Sequence, residues 1–97
     1  MPLFRAPVVD VRLNSPMPVE DAEPVQNFTR SYYVRASSAD DALLIIAQRV
    51  TQEGGQVLRI APLVQVDGLP PELRDRAQSV GQRGIVWQSG RAFYPTD

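Results

Sequence analysis

Residues 37–55 read SSADDALLIIAQRVTQEGG, and the organisation of the chain follows from them. Ser38 stands where an N-cap is needed, with Asp41 three residues on. Asp40 and Asp41 place negative charge in the first turn, where the helix dipole favours it. Leu43, Ile46, Ala47 and Val50 recur at helical spacing and predict the buried stripe, with Leu44 and Ile45 widening it. Gly54 and Gly55 end the helix in the left-handed conformation that glycine adopts cheaply.

Strands are expected on both sides of this helix. In 28–36, FTRSYYVRA, Phe28, Tyr32, Val34 and Ala36 share one face, with Arg30 an outlier on it, while Thr29, Ser31, Tyr33 and Arg35 share the other. In 56–66, QVLRIAPLVQV, the alternation puts Leu58, Ile60, Val64 and Val66 together. Pro62 has no N–H, so it belongs on a sheet edge or at a bulge.

Further out, DGLPPELRDRAQSVG at 67–81 predicts a turn and a short helix entered through Pro70 and Pro71. Leu69, Leu73, Ala77 and Val80 lie along one side of it, and Gly81 and Gly84 close it. GIVWQSGRAFYP at 84–95 reads as a hairpin turning at Ser89-Gly90, or as one strand bent at Gly90. Ile85 and Trp87 are expected to face the helices, with Arg91 and Phe93 outward.

Towards the N-terminus, 7–13 alternates as a half-buried strand, with Val9, Val11 and Leu13 on one face. Residues 14–27, NSPMPVEDAEPVQN, predict an extended, Pro-rich acidic loop. The whole is expected to be one domain over 1–97: an α+β two-layer sandwich. Its mixed or antiparallel sheet of four to five strands carries both helices on one face and leaves the other open.

Composition narrows the chemistry. The 97 residues include no Cys and no His, and all ten positive charges are Arg. Disulfides, thiolate nucleophiles and cysteine–histidine zinc sites are therefore out of reach, as is the usual imidazole base. With no lysine there is neither a Schiff-base amine nor a phosphate-loop lysine. The net charge of −1 stands against general nucleic-acid binding, which rests on phosphate neutralisation. No polybasic stretch, signal peptide or apolar run long enough to span a bilayer is read. A cytoplasmic, non-enzymatic protein without metal or cofactor is expected.

Asp40 and Asp41 are adjacent and point apart on a helix, so they suit the helix end better than acid–base work. Ser89 lacks a nucleophile elbow and a histidine to take its proton, so it reads as a turn residue. Arg, Trp and Tyr are the usual anchors of protein interfaces. Candidate partner-binding residues are Tyr33, Arg35, Trp87, Arg91 and Tyr94 on the sheet, with Glu20, Asp21 and Glu23 as acids that suit a basic surface. A stacking face for single-stranded nucleic acid, using Tyr32, Tyr33, Trp87, Phe93 and Tyr94 with Arg30, Arg35, Arg59 and Arg91, is a further alternative.

The segments YYVRASSADDALLIIAQRV, GG and GIVWQSGRAFYP give residues 28–95 a layout that resembles the small cytoplasmic immunity proteins that bacteria encode beside secreted polymorphic toxins. The resemblance implies a compact, non-catalytic inhibitor that occludes one cognate toxin. The chain departs from that pattern in charge, since such proteins tend to be strongly acidic. The other expectation is a small regulatory or accessory module, homodimeric through the open sheet face or an edge strand.

Overall fold

The computed structural model describes residues 1–77 and 82–94. Its centre is a long antiparallel hairpin of β1 (Leu3–Val19) and β2 (Ala22–Arg35). Helix α1 (Ala39–Gln52) follows, then β3 (Gly55–Ile60), β4 (Val64–Val66), the one-turn helix α2 (Pro71–Arg74), β5 (Gly84–Gln88) and β6 (Ala92–Tyr94). The fold is α+β with an antiparallel six-stranded sheet.

The six strands occupy four positions. β3 and β4 both pair with β1, end to end on one edge. β5 and β6 both pair with β2 on the other. The expected hairpin within 84–95 is therefore not formed. Its two arms continue one another along β2, as in the reading of one strand bent near Gly90. Residues 56–66 are likewise split, and Pro62 sits in the gap between two edge strands, where its missing N–H breaks no ladder.

The interruptions line up. Ala61–Leu63 breaks the first edge, and the Ala61 N–H donates to the Val8 carbonyl at 2.9 Å. β1 bulges at the same level, between Ala6 and Val9. On β2 that level is Ser31, whose hydroxyl donates to the Pro7 carbonyl at 2.7 Å. Ser89–Arg91 breaks the second edge beside Ser31. A fault thus crosses all four positions and divides the sheet into two half-sheets. An odd bulge reverses which residues face the core, and this one brings Ala6 and Val9 onto the same face, both fully buried.

α1 covers that face. Ser38 caps it as expected, its hydroxyl accepting the Asp41 N–H at 3.1 Å, and Gly54 ends it at φ +81°. The buried stripe is Ala42, Ile45, Ile46 and Val50. The predicted stripe holds at Ile45, Ile46 and Val50 and is shifted at its margin: Ala42 joins it, whereas Ala47 is exposed and Leu44 is 51% exposed. Four consecutive apolar residues, Leu43 to Ile46, leave the helix phase open, and packing against β2 and β3 sets it. The core beneath comprises Phe4, Ala6, Val9, Val11, Phe28, Tyr32, Val34 and Ile85, with Val57, Ile60 and Phe93 at its margin.

A second cluster lies on the opposite face. Leu3, Tyr33 and Val86 are buried there against Val66, Leu69, Leu73, Ala77 and Trp87. The side of α2 that the spacing identified does pack, but behind the sheet, so the two helices are not on one face. Val80 and Gly81 lie outside the described residues. Leu58 and Val64, which the alternation put on one face with Ile60 and Val66, are largely exposed.

Residues 14–27 are extended, as predicted, but they are paired strand. Met17 faces Val25, and Val19 faces Ala22 across a two-residue turn at Glu20-Asp21. Pro16, Pro18 and Pro24 interrupt regular pairing without preventing it; register shifts flank Met17. The distal hairpin makes an arm with little apolar cover. It helps to give the molecule extents of 43 × 27 × 20 Å and a radius of gyration of 14.1 Å, against about 12–13 Å for a compact domain this long.

Candidate protein-binding site

The sheet-face candidates divide between two faces. Tyr33 and Trp87 do meet, edge to face at 5.9 Å between ring centroids. A bulge in β5 makes this contact: Tyr33 pairs with Trp87 and Val34 with Ile85, leaving Val86 as the extra residue. Ile85 therefore faces α1 as expected, whereas Trp87 turns to the α2 side. Tyr33 is buried there, so the pair is largely a packing unit. Arg35 is half-buried and donates from Nη1 to the Met1 carbonyl at 3.0 Å. Its Nε is buried with no partner among the described residues.

Arg91 is not on that face. Its guanidinium lies 4.8 Å from the Phe28 ring centroid and 3.4 Å from Glu53 Oε2, on the α1 side. Phe93 is also there, edge to face with Phe28 at 5.4 Å. Tyr94, next in the strand and paired with Asn27, faces away from α1 and is half-buried. The outward pairing of Arg91 with Phe93 is thus corrected: β6 follows the pleat of β2, and Phe28 sets its inward face. A single aromatic and arginine stacking face does not assemble either, because Tyr32, Phe93, Arg30 and Arg91 lie on the covered side.

Arg30, singled out in the sequence only as an outlier, organises this side. Its side chain is 9% exposed and lies between the rings of Phe28 and Tyr32, at 5.9 and 5.8 Å from their centroids. It pairs with Glu53 Oε2 at 3.2 Å. Nε and Nη2 donate to the Ser89 carbonyl at 3.0 and 2.7 Å. That carbonyl is turned out of the ladder where the edge strand breaks. The Ser89 hydroxyl replaces it, accepting the Ser31 N–H at 2.8 Å, while the Ser89 N–H still donates to the Ser31 carbonyl at 3.0 Å. Ser89 is thereby a structural residue. The Tyr32 hydroxyl is buried without a partner among the described residues, and burial pushes its pKa above the ordinary phenol value against the pull of Arg30.

At the other end of α1, Arg83 grips Asp41 with two groups: Nε at 3.0 and 3.1 Å and Nη2 at 2.6 Å. The Ser37 N–H adds a bond to Asp41 at 3.0 Å. Arg83 first, then that N–H, holds the Asp41 carboxyl well below the usual carboxylate range. Asp41 thus fastens the helix start to the chain ahead of β5.

The acids of the arm are arranged differently. Glu20, Asp21 and Glu23 are all exposed, and none forms an ion pair among the described residues. Asp21 has φ +58°, a left-handed conformation that Asp tolerates better than most side chains. Three acids and no arginine lie between Arg12 and Arg30, so the tip carries local negative charge that the net charge conceals.

Among the described residues, no group of three or more potential metal ligands is found, and no helix is long and apolar enough to cross a membrane. No family model matches the chain, and comparisons with curated proteins and with solved structures give no significant match.

Proposed function

We propose that this chain is a non-catalytic protein-binding domain, an inhibitor in the manner of toxin immunity proteins, and that it engages its partner through the acid-tipped arm. The observation that carries this reading is the arm itself. It extends beyond the core, is held as a hairpin by the Met17–Val25 and Val19–Ala22 pairs and ends in Glu20, Asp21 and Glu23. Prolines at 16, 18 and 24 limit the conformations of its strands, so less freedom is lost on binding than with a loose loop. A narrow, negatively charged projection complements a basic cleft, and such complementarity acts mainly on the association rate.

The self-associating alternative has less support. Both sheet edges are broken by bulges and gaps, at Leu58 and Pro62 on one side and at Val86 and Ser89 on the other. These are devices that discourage edge-to-edge pairing. The α2 segment occupies much of the face that was expected to be open.

The test is capture on the tagged chain from its native host at moderate salt, followed by association kinetics with the protein recovered. A stoichiometric partner is expected, with an association rate that falls about tenfold or more at low salt when Glu20 and Glu23 are changed to Lys. A partner indifferent to those changes overturns the arm reading. Recovery of the chain alone overturns the inhibitor reading.

A further inference from the structure

On the side of α1 that faces β5 there is an open groove of about 200 Å³. Ile45, Gln48, Arg49 and Gln52 line it from the helix, at the spacing of a single helical stripe, and Arg83, Gly84 and Ile85 line it from the strand side. Ile45 and Ile85 are buried, while the other lining side chains end in amides and guanidiniums.

The two arginines are in different states. Arg83 has Nε and Nη2 committed to Asp41, which fixes the plane of its guanidinium, and its Nη1 has no hydrogen-bond partner among the described residues. Arg49 has one hydrogen bond, from Nη1 to Gln88 Oε1 at 3.4 Å, and no carboxylate partner among the described residues. Asp41 offsets one of the two positive charges, so a single positive charge remains. That balance suits a monoanion better than a phosphate dianion. The planar fork of an arginine matches the two oxygens of a carboxylate, and Gln48 and Gln52 offer both donors and acceptors beside it.

We propose that this groove is a binding site for a small monocarboxylate bearing an amide, with Arg49 as the principal anion contact. The site does not rest on the arm reading, since it lies near the Arg35–Gly84 end of the sheet, opposite the arm tip.

N-acetylglycine is a suitable probe, titrated into ¹⁵N-labelled protein with sodium chloride and sodium phosphate at matched ionic strength. Saturable shifts are expected at the Arg49 Nε–Hε and Gly84 amide signals, with dissociation in the millimolar range usual for so small a ligand. Arg49→Gln should weaken binding about tenfold, and Arg49→Lys, which keeps the charge but loses the fork, should restore part of it. Shifts that do not saturate overturn the site, as does an equal or stronger response to chloride or phosphate. Undiminished binding in Arg49→Gln, its amide spectrum otherwise that of the parent, does the same. Arg49→Lys provides a folded reference should the glutamine variant lose structure.

Discussion

Arg30 sits at the intersection of three demands. It lies over the rings of Phe28 and Tyr32, balances Glu53 and satisfies the carbonyl that Ser89 turns away from the sheet. Removing one member of a largely buried pair strands the other, a loss of about 3–5 kcal/mol when both are fully enclosed. Glu53 keeps partial contact with water and with Arg91, so Arg30→Ala is expected to cost about 2–3 kcal/mol. Chemical denaturation at neutral pH checks this, and a loss no larger than that of an ordinary surface substitution would show the network to be ornamental. Asp41 makes a pH-dependent contribution. Its folded pKa lies below its unfolded value, so the stabilisation is complete above the unfolded value of about 4 and is lost as pH falls through the folded one. Asp41→Asn should therefore be less stable than the parent at pH 7, and the difference should shrink as melting is followed below about pH 4. A gap of constant size across that range would mean that the charge is not what matters.

At the scale of elements, the turn from α1 into β3 is closely packed at Gly55. A Cβ on Gly55 would stand 2.9 Å from Val11 Cγ1 and 3.2 Å from the Arg12 carbonyl oxygen. Gly55→Ala is expected to destabilise by about 1–3 kcal/mol through overpacking. Gly54, with open space around its Cα, carries only the strain of its positive φ, so Gly54→Ala should lose about 1 kcal/mol. Paired melting curves separate the two causes, and equal losses would refute the distinction. The helix and this junction were legible in the sequence because their signals are local: a serine cap at its start, a helical period and two glycines at its end. Arg30 was visible as an irregularity in a strand face, though its partners were not. Other elements were misread because their determinants are distant. Ser89-Gly90 looks like a hairpin turn, but the partner of both flanking strands is β2, 49 to 67 positions earlier. The arm showed no alternation because it has little buried face to alternate towards, and its prolines made it look unpaired. The bulges at Pro7-Val8 and Val86 reverse inside and outside; proline in a central strand belongs at a bulge, so Pro7 signals the first, but nothing in the sequence marks Val86. That is why Trp87 and Ile85, expected together, lie on opposite sides.

For the molecule as a whole, stability and the proposed recognition are expected to separate. The core clusters draw on the arm only as far as Met17. Replacing Pro18–Pro24 with Asn-Gly keeps the Met17–Val25 pair and supplies a favoured two-residue turn. The melting temperature should then move by no more than a few degrees, since less than about 1 kcal/mol is at stake, while partner binding is lost. Scanning calorimetry with the capture assay checks both halves. A large drop in melting temperature would mean that the tip is part of the fold, and retained binding would place the interface elsewhere.

The fault across the sheet bears on that separation. A continuous sheet transmits its twist through peptide hydrogen bonds, which side-chain substitutions other than to proline leave in place. Here the two half-sheets are joined at the fault partly by the Ser31 and Ser89 hydroxyls and the Arg30 guanidinium. The arm is carried on one half, while α1 begins beside the other. The direction in which the arm is aimed is therefore written in a few exchangeable side chains, and a lineage could re-aim it by point changes there without rebuilding either half.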